Sequence, residues 1–360
     1  MAYYLSNYSN QKRKKKKSNK IFIWFFVIVI ITILGLGYSY YEIAYKPNVW
    51  TFNKKPEGVN IPQGTNFKGL KEILFSKGLI IHRKNFDIWA KFKKLPELIK
   101  PGHYVLNNGM NNYDLVKMFR TGNQTPVKVI FNSLNNVKSL AGVIGRQLEP
   151  DSSAIMRLLS DSTYIAKMGF NKYTLPAMFI PNTYQFYWTT TPEGFVKRMN
   201  IEYNKFWNTA RKKLADSLGL NPVEVATVAS IIEKESNKID EWPVIASVYL
   251  NRLKRGWRLQ ADPTVIFALG DYHIHRVLNA QKKVKSPYNT YLHRGLPPGP
   301  ICIPSITAID AVLHAAKTHY LYFCAKADFS GYHAFSKTNA QHVLNALKYQ
   351  KALNDRNIYR

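Results

Sequence analysis

The hydrophobic pattern of the chain changes character along its length, and each change marks a different kind of element. Ile21 to Tyr38 is apolar without one charge. At 1.5 Å per residue that run makes about 27 Å of helix, close to the hydrocarbon thickness of a bilayer. Farther on, Phe67, Leu70, Ile73 and Leu74 recur at three-and-four spacing and predict a helix from Thr65 through Ser76, stopped by Gly78. Phe86, Trp89, Ala90 and Phe92 predict a second helix over Arg83 to Lys94. Between and around them, VWTF (49–52) reads as a first strand, NIPQG as a turn and HYVL, after Pro101-Gly102, as a short strand. Leu115, Val116, Met118 and Phe119 then define a helix from Asn112 to Gly122.

VKVIF (127–131) predicts a strand that opens a second domain, followed by helices over Val137–Leu148 and Ser152–Leu159. MFIPNTYQFYW (178–188) is dense in aromatics, which either fill a core or stack on sugar rings. A long amphipathic helix is expected from Thr191-Pro192-Glu193 to about Leu218. Asn221-Pro222 then starts another, because Asn caps free backbone N–H groups and Pro fits the first turn. Val225, Val228, Ala229 and Ile232 give it a buried stripe. Its two carboxylates, Glu233 and Glu235, are about 200° apart around the axis and cannot share one substrate bond. Glu233 lies on the shoulder of the stripe beside Ala226 and Ala229, where partial desolvation suits a general acid.

Downstream, Pro243 to Lys254 reads as a helix carrying Asn251 and Arg252. Gln260, Asp262 and Thr264 follow in a turn around Pro263, and residues 286–305 form a long loop rich in Pro and Gly. YLYFCAK and GYHAF predict two strands, the second with His333 and Phe335, and Asn339 to Asn354 closes the chain as a helix.

Charge changes the picture through its placement. The chain has 360 residues and a formal charge of +29, which by itself suits a nucleic-acid binder. KRKKKK (12–17) and Lys20 precede the apolar run, however, and this flank keeps the N-terminus cytoplasmic and sends the remainder across the membrane. A cleaved signal peptide is the competing reading, with Gly35-Leu36-Gly37 as a loose cleavage site. The run is longer than a signal core and lacks a clear A-x-A, which favours an anchor. Nucleic acid is then no partner, and the excess charge suits an acidic polymer or the membrane surface. Cys302 and Cys324 lie in apolar surroundings that favour free thiols, although an oxidising compartment permits a bridge. No metal-ligand spacing occurs and no cofactor is expected. The expected fold class is α+β, organised as a basic tail (1–20), a transmembrane anchor (21–41), a small mixed module (47–125) and a larger mixed catalytic domain (126–360).

Five segments in order, ASIIEKES, VYLNRLKRGWRLQADPTVIF, YNTYLHRGLPPGPI, HYLYFCAK and GYHAFSKT, resemble the MltG (YceG-like) endolytic murein transglycosylases. The sequence departs from that pattern at Asn182, where many relatives carry Asp, and at IPS (303–305), where Asn-Pro-Gly is frequent. The resemblance implies a LysM-like module before the catalytic domain, with GHYVL and LVKMFRTG as the matching part. It implies cleavage of the MurNAc-β-1,4-GlcNAc bond within peptidoglycan strands, leaving 1,6-anhydro-MurNAc ends and limiting strand length near peptidoglycan synthases. By its EKE motif the single acid/base falls on Glu233, with Gln260, Asp262, Tyr288, Asn289 and His333 assigned to substrate binding. A non-catalytic wall-binding scaffold and a water-using muramidase are the alternatives.

Overall fold

In the computed structural model, which describes residues 20–274 and 276–356, the chain divides into two compact units that meet at Gln124 and Thr125. The basic run at 12–17 lies outside the described residues. The described part of the first unit opens with helix α1 (Lys20–Ala44), whose apolar span has no buried residue and is long and apolar enough to cross a membrane. Among the described residues it is the one helix with that length and composition, which supports a single-pass topology. Its last residue, Ala44, is fully buried, and Tyr40 meets Trp89 edge to face at 5.5 Å.

Strand β1 (Glu57–Ile61) leads through helices α2 (Phe67–Ser76), α3 (Arg83–Phe92) and α4 (Leu95–Leu98) to β2 (Gly102–Leu106) and helix α5 (Asn112–Thr121). The two strands pair antiparallel, Glu57 opposite Leu106 and Ile61 opposite Gly102. Asn66 caps α2 by accepting from the Gly69 N–H, so the helix starts at Phe67 and not at Thr65. The VWTF segment is not a strand. It forms a bridge from Val49 to Ile80 and then a turn of 3₁₀ helix, because Asn48 is tied by its side chain to His82 and Asn112 rather than by a ladder. A distinct LysM-like module is not identifiable. The sheet residues Val59, Ile61, Tyr104 and Leu106 share one core with Trp89, Phe119 and the end of α1, so this part of the chain is not separate from the anchor.

The second unit opens with β3 (Val127–Phe131), α6 (Val137–Gly145), α7 (Ser152–Ser160) and α8 (Ser162–Lys167). Strand β4 (Asn182–Phe186) pairs antiparallel with β3, and Tyr184 and Phe186 are buried, so these two aromatics fill the core. Tyr187 alone of that cluster is more than half exposed. The expected long helix is two, α9 (Pro192–Phe206) and α10 (Thr209–Ser217). Trp207 leaves helical geometry with its ring fully buried, and Asn208 caps the new helix by accepting from the Arg211 N–H.

Helices α11 (Pro222–Glu235), α12 (Trp242–Lys254), α13 (Asp262–Leu269) and α14 (Ile306–Leu313) follow, then the antiparallel hairpin β5 (Tyr322–Ala325) and β6 (His333–Ser336), and α15 (Asn339–Asp355). Asn221 and Glu224 make a reciprocal capping box at the start of α11. Every residue from Val225 to Ile232 is buried, Thr227 and Ser230 included, so α11 runs through the core instead of resting on it. That placement fixes the polar groups at its C-terminal end.

Candidate active site

Glu233 and Glu235 leave the end of α11 in different directions, as their spacing requires. The Ser305 backbone N–H donates to Glu233 Oε2 at 2.7 Å, and Ser305 is the N-cap of α14. A carboxylate there complements the positive end of the helix and holds the long loop to α11. Two more contacts lace the same loop to that helix: the Ile301 N–H donates to Ser230 Oγ at 2.9 Å, and Cys302 Sγ lies 3.7 Å from the Ser230 carbonyl. Cys302 and Cys324 are free thiols, and burial pushes the Cys302 thiol up to about 12. Gly299 belongs to this lacing, since a Cβ there would stand 2.1 Å from the Tyr173 carbonyl oxygen. Gly299→Ala is expected to destabilise the protein by about 1–3 kcal/mol, read as a lower thermal midpoint, because a backbone atom cannot yield as a side chain does.

Glu235 points toward α12. Tyr249 Oη donates to its Oε2 at 3.0 Å, whereas its Oε1 meets no hydrogen-bond donor among the described residues. The residue is partly buried, and burial pushes its pKa up to about 7. The Tyr249 hydrogen bond pulls it down, the neighbouring Asp262 charge pushes it up, and the Arg252 guanidinium pulls it down. Burial therefore favours the neutral acid form of Glu235.

The groups around Glu235 are themselves fixed. Arg252 is buried, donates from Nε to the Leu321 carbonyl at 2.7 Å and from Nη1 to the Leu259 carbonyl. Asp262 is the first residue of α13, and its Oδ1 accepts from Tyr291 Oη at 2.5 Å. Burial and that bond push the Tyr291 phenol far up, so it stays a donor. Thr264 and Thr290 Oγ1 atoms lie 2.9 Å apart beneath this pair, which locks the start of α13 to the 286–305 loop.

Of the residues assigned to substrate binding, Asp262 stands beside Glu235. Gln260 is exposed, and its N–H donates to the Thr290 carbonyl at 3.2 Å. Tyr288 is 7% exposed and packs on Phe267 with ring centres 4.5 Å apart, so it is a core residue. Asn289 is fully buried, donating to the Lys282 and Val284 carbonyls and accepting from the Tyr291 N–H. It shapes the loop that presents Tyr291. His333 gives both its backbone N–H and Nδ1 to the buried carboxylate of Glu241, each at 2.9 Å, which anchors β6. These contacts hold all three within the folded loops. Tyr249, Tyr291 and Arg252, which the sequence did not mark as site residues, surround Glu235 instead.

Fold and site together define a membrane-anchored mixed α/β protein whose polar centre places one partly buried carboxyl of raised pKa near a second acid. The chain belongs to the YceG-like family, whose model matches residues 59–348. It is 30% identical over 340 residues to an endolytic murein transglycosylase of Bacillus subtilis, covering 90% of this chain and 93% of that protein. A Streptococcus pneumoniae endolytic murein transglycosylase is 29% identical over 324 residues, and the match spans 57% of its length. The crystal structure of a YceG-like protein from Listeria monocytogenes superposes with a TM-score of 0.55 at 28% identity, covering 81% of this chain and 99% of that one.

Proposed function

We propose that this protein is an endolytic peptidoglycan transglycosylase that uses Glu235, not Glu233, as its single acid/base. The observation that carries the assignment is the placement of Glu235, with Oε2 bonded to Tyr249 and Arg252 and Asp262 as charged neighbours, in partly buried surroundings that raise its pKa. Glu233 is placed differently, since its bonded oxygen, Oε2, is tied to the N-cap of α14 and not to Tyr249 of α12. Neutral Glu235 donates its proton to the glycosidic oxygen as the bond from the muramic acid anomeric carbon breaks. The muramic acid 6-hydroxyl closes on that carbon, and the Glu235 carboxylate takes the hydroxyl proton. The proton account closes, and no protein nucleophile is needed, in contrast to glycosidases that use two carboxylates. The Asp262 charge favours the cationic ring in the transition state, and Tyr291 keeps that carboxylate oriented. The N-terminal side is cytoplasmic and the second unit faces the wall, a reading supported by the basic residues before α1. Proximity to peptidoglycan synthases would let the enzyme limit strand length.

Digestion in H₂¹⁸O tests the reaction. The expected products end in 1,6-anhydro rings without label, whereas a reducing end carrying ¹⁸O would identify a muramidase. The pH profile tests the acid. Because the protonated form works, kcat/KM should be level below about pH 7 and fall tenfold per pH unit above it. A profile that rises through pH 7 would contradict this.

A further inference from the structure

Two guanidinium groups beside the polar centre have no part in the reaction just described. Arg258 and Arg294 line a depression of about 300 Å³ together with Gly256, Trp257 and Gln260. Both are exposed, and among the described residues neither is paired with an acid. The depression is attached to the reacting centre by short lengths of chain. Gln260 stands two residues before Asp262, and Arg294 three residues after Tyr291. The Gln260 N–H bond to the Thr290 carbonyl fastens the two segments to each other. Gln260 also has φ of 55°, a left-handed conformation that a non-glycine residue holds only where its surroundings impose it. Trp257 is 38% exposed and is steadied by an edge contact with Tyr322 at 6.1 Å.

We propose that this depression is a subsite for a carboxylate of the peptide stem carried by a muramic acid next to the cleaved bond. The proposal rests on the peptidoglycan reading above. Forked guanidinium donors match a carboxylate in geometry and charge, and the exposed part of the Trp257 indole, over which the Arg255 guanidinium lies at 5.7 Å, suits the aliphatic carbons of a stem. Bare muramic acid also has a carboxylate, on its lactyl group, but one held against the sugar ring. A depression of this size beside an exposed indole fits a longer substituent. The enzyme would thereby read whether a strand still bears its stems, a property that position of the glycan alone does not report.

The test uses the full chain in detergent with three substrates: strands with intact stems, strands stripped of stems by an amidase, and strands whose stem carboxylates have been amidated. For the wild type, kcat/KM on intact strands should exceed that on the other two by about tenfold, the scale of a charge-assisted contact. In Arg258→Gln/Arg294→Gln both ratios should approach one. Should the double variant fail to fold, each single variant should at least halve the ratios. Equal turnover of amidated and intact strands, or ratios unchanged in the variants, would overturn the proposal. So would stripped strands as good as intact ones, which would assign the depression to the lactyl carboxylate. Failure of the underlying reaction reads differently, as label from H₂¹⁸O in the products or turnover that survives Glu235→Gln, whatever the ratios.

Discussion

Glu235→Gln is expected to lower the rate of glycan cleavage by about 10²–10⁴-fold, the range for losing a positioned general acid. Gln keeps the shape of the side chain and still accepts from Tyr249, so the loss belongs to the proton. Stability should also fall as pH rises, over a lower range. The folded pKa of Glu235 is raised to about 7 from an ordinary value of 4.5, so folding holds a proton that the unfolded chain releases. Stability is therefore greatest below pH 4.5, falls as pH rises to about 7, and changes no further through this group. At about 1.4 kcal/mol per pH unit the loss is on the order of 3 kcal/mol. In Glu235→Gln that slope should disappear from a comparison of thermal midpoints between pH 4.5 and pH 8. Glu233→Gln should stay within a few-fold of wild-type activity, because its amide oxygen can still accept from the Ser305 N–H.

Arg252→Ala should cause the largest loss of stability of any change near the site. It strips the hydrogen-bond donors from the Leu259 and Leu321 carbonyls, both belonging to buried residues. Each unpaired buried acceptor costs about 1–3 kcal/mol, so roughly 3–5 kcal/mol is expected in total. For a unit of this size that is about 10 °C in thermal midpoint. The same change removes the positive charge that pulls the Glu235 pKa down. Whatever folded protein remains should lose activity at a higher pH than wild type. A variant with the wild-type midpoint and an unmoved pH profile would show that Arg252 neither supports the loop nor tunes the acid.

The elements that the sequence made legible are those whose signals are local. Asn221-Pro222 started α11, Gly122 ended α5, and VKVIF formed β3, because capping and alternation act within a few residues. The choice between the two acids of α11 was not local. It relied on a stripe with a shoulder, and α11 has none, since Val225 to Ile232 are covered on every side. The surroundings of Glu235 depend instead on α12 and α13, which bring Tyr249, Arg252 and Asp262 from later in the chain. Asn208 shows the converse. Its capping signal was present in the sequence, but the continuous amphipathic pattern on either side of Trp207 concealed the break. Tyr288, Asn289 and His333 were legible as polar residues in distinctive segments, yet their partners are carbonyls, rings and a carboxylate that only the folded loops assemble.

Mass spectrometry of peptidoglycan digested in parallel by wild type, Glu233→Gln and Glu235→Gln tests the central claim most directly. The account predicts fragments ending in 1,6-anhydro-MurNAc from the wild type and from Glu233→Gln, and none above background from a folded Glu235→Gln. Anhydro fragments released by Glu235→Gln, with Glu233→Gln silent, would contradict it and return the acid to Glu233.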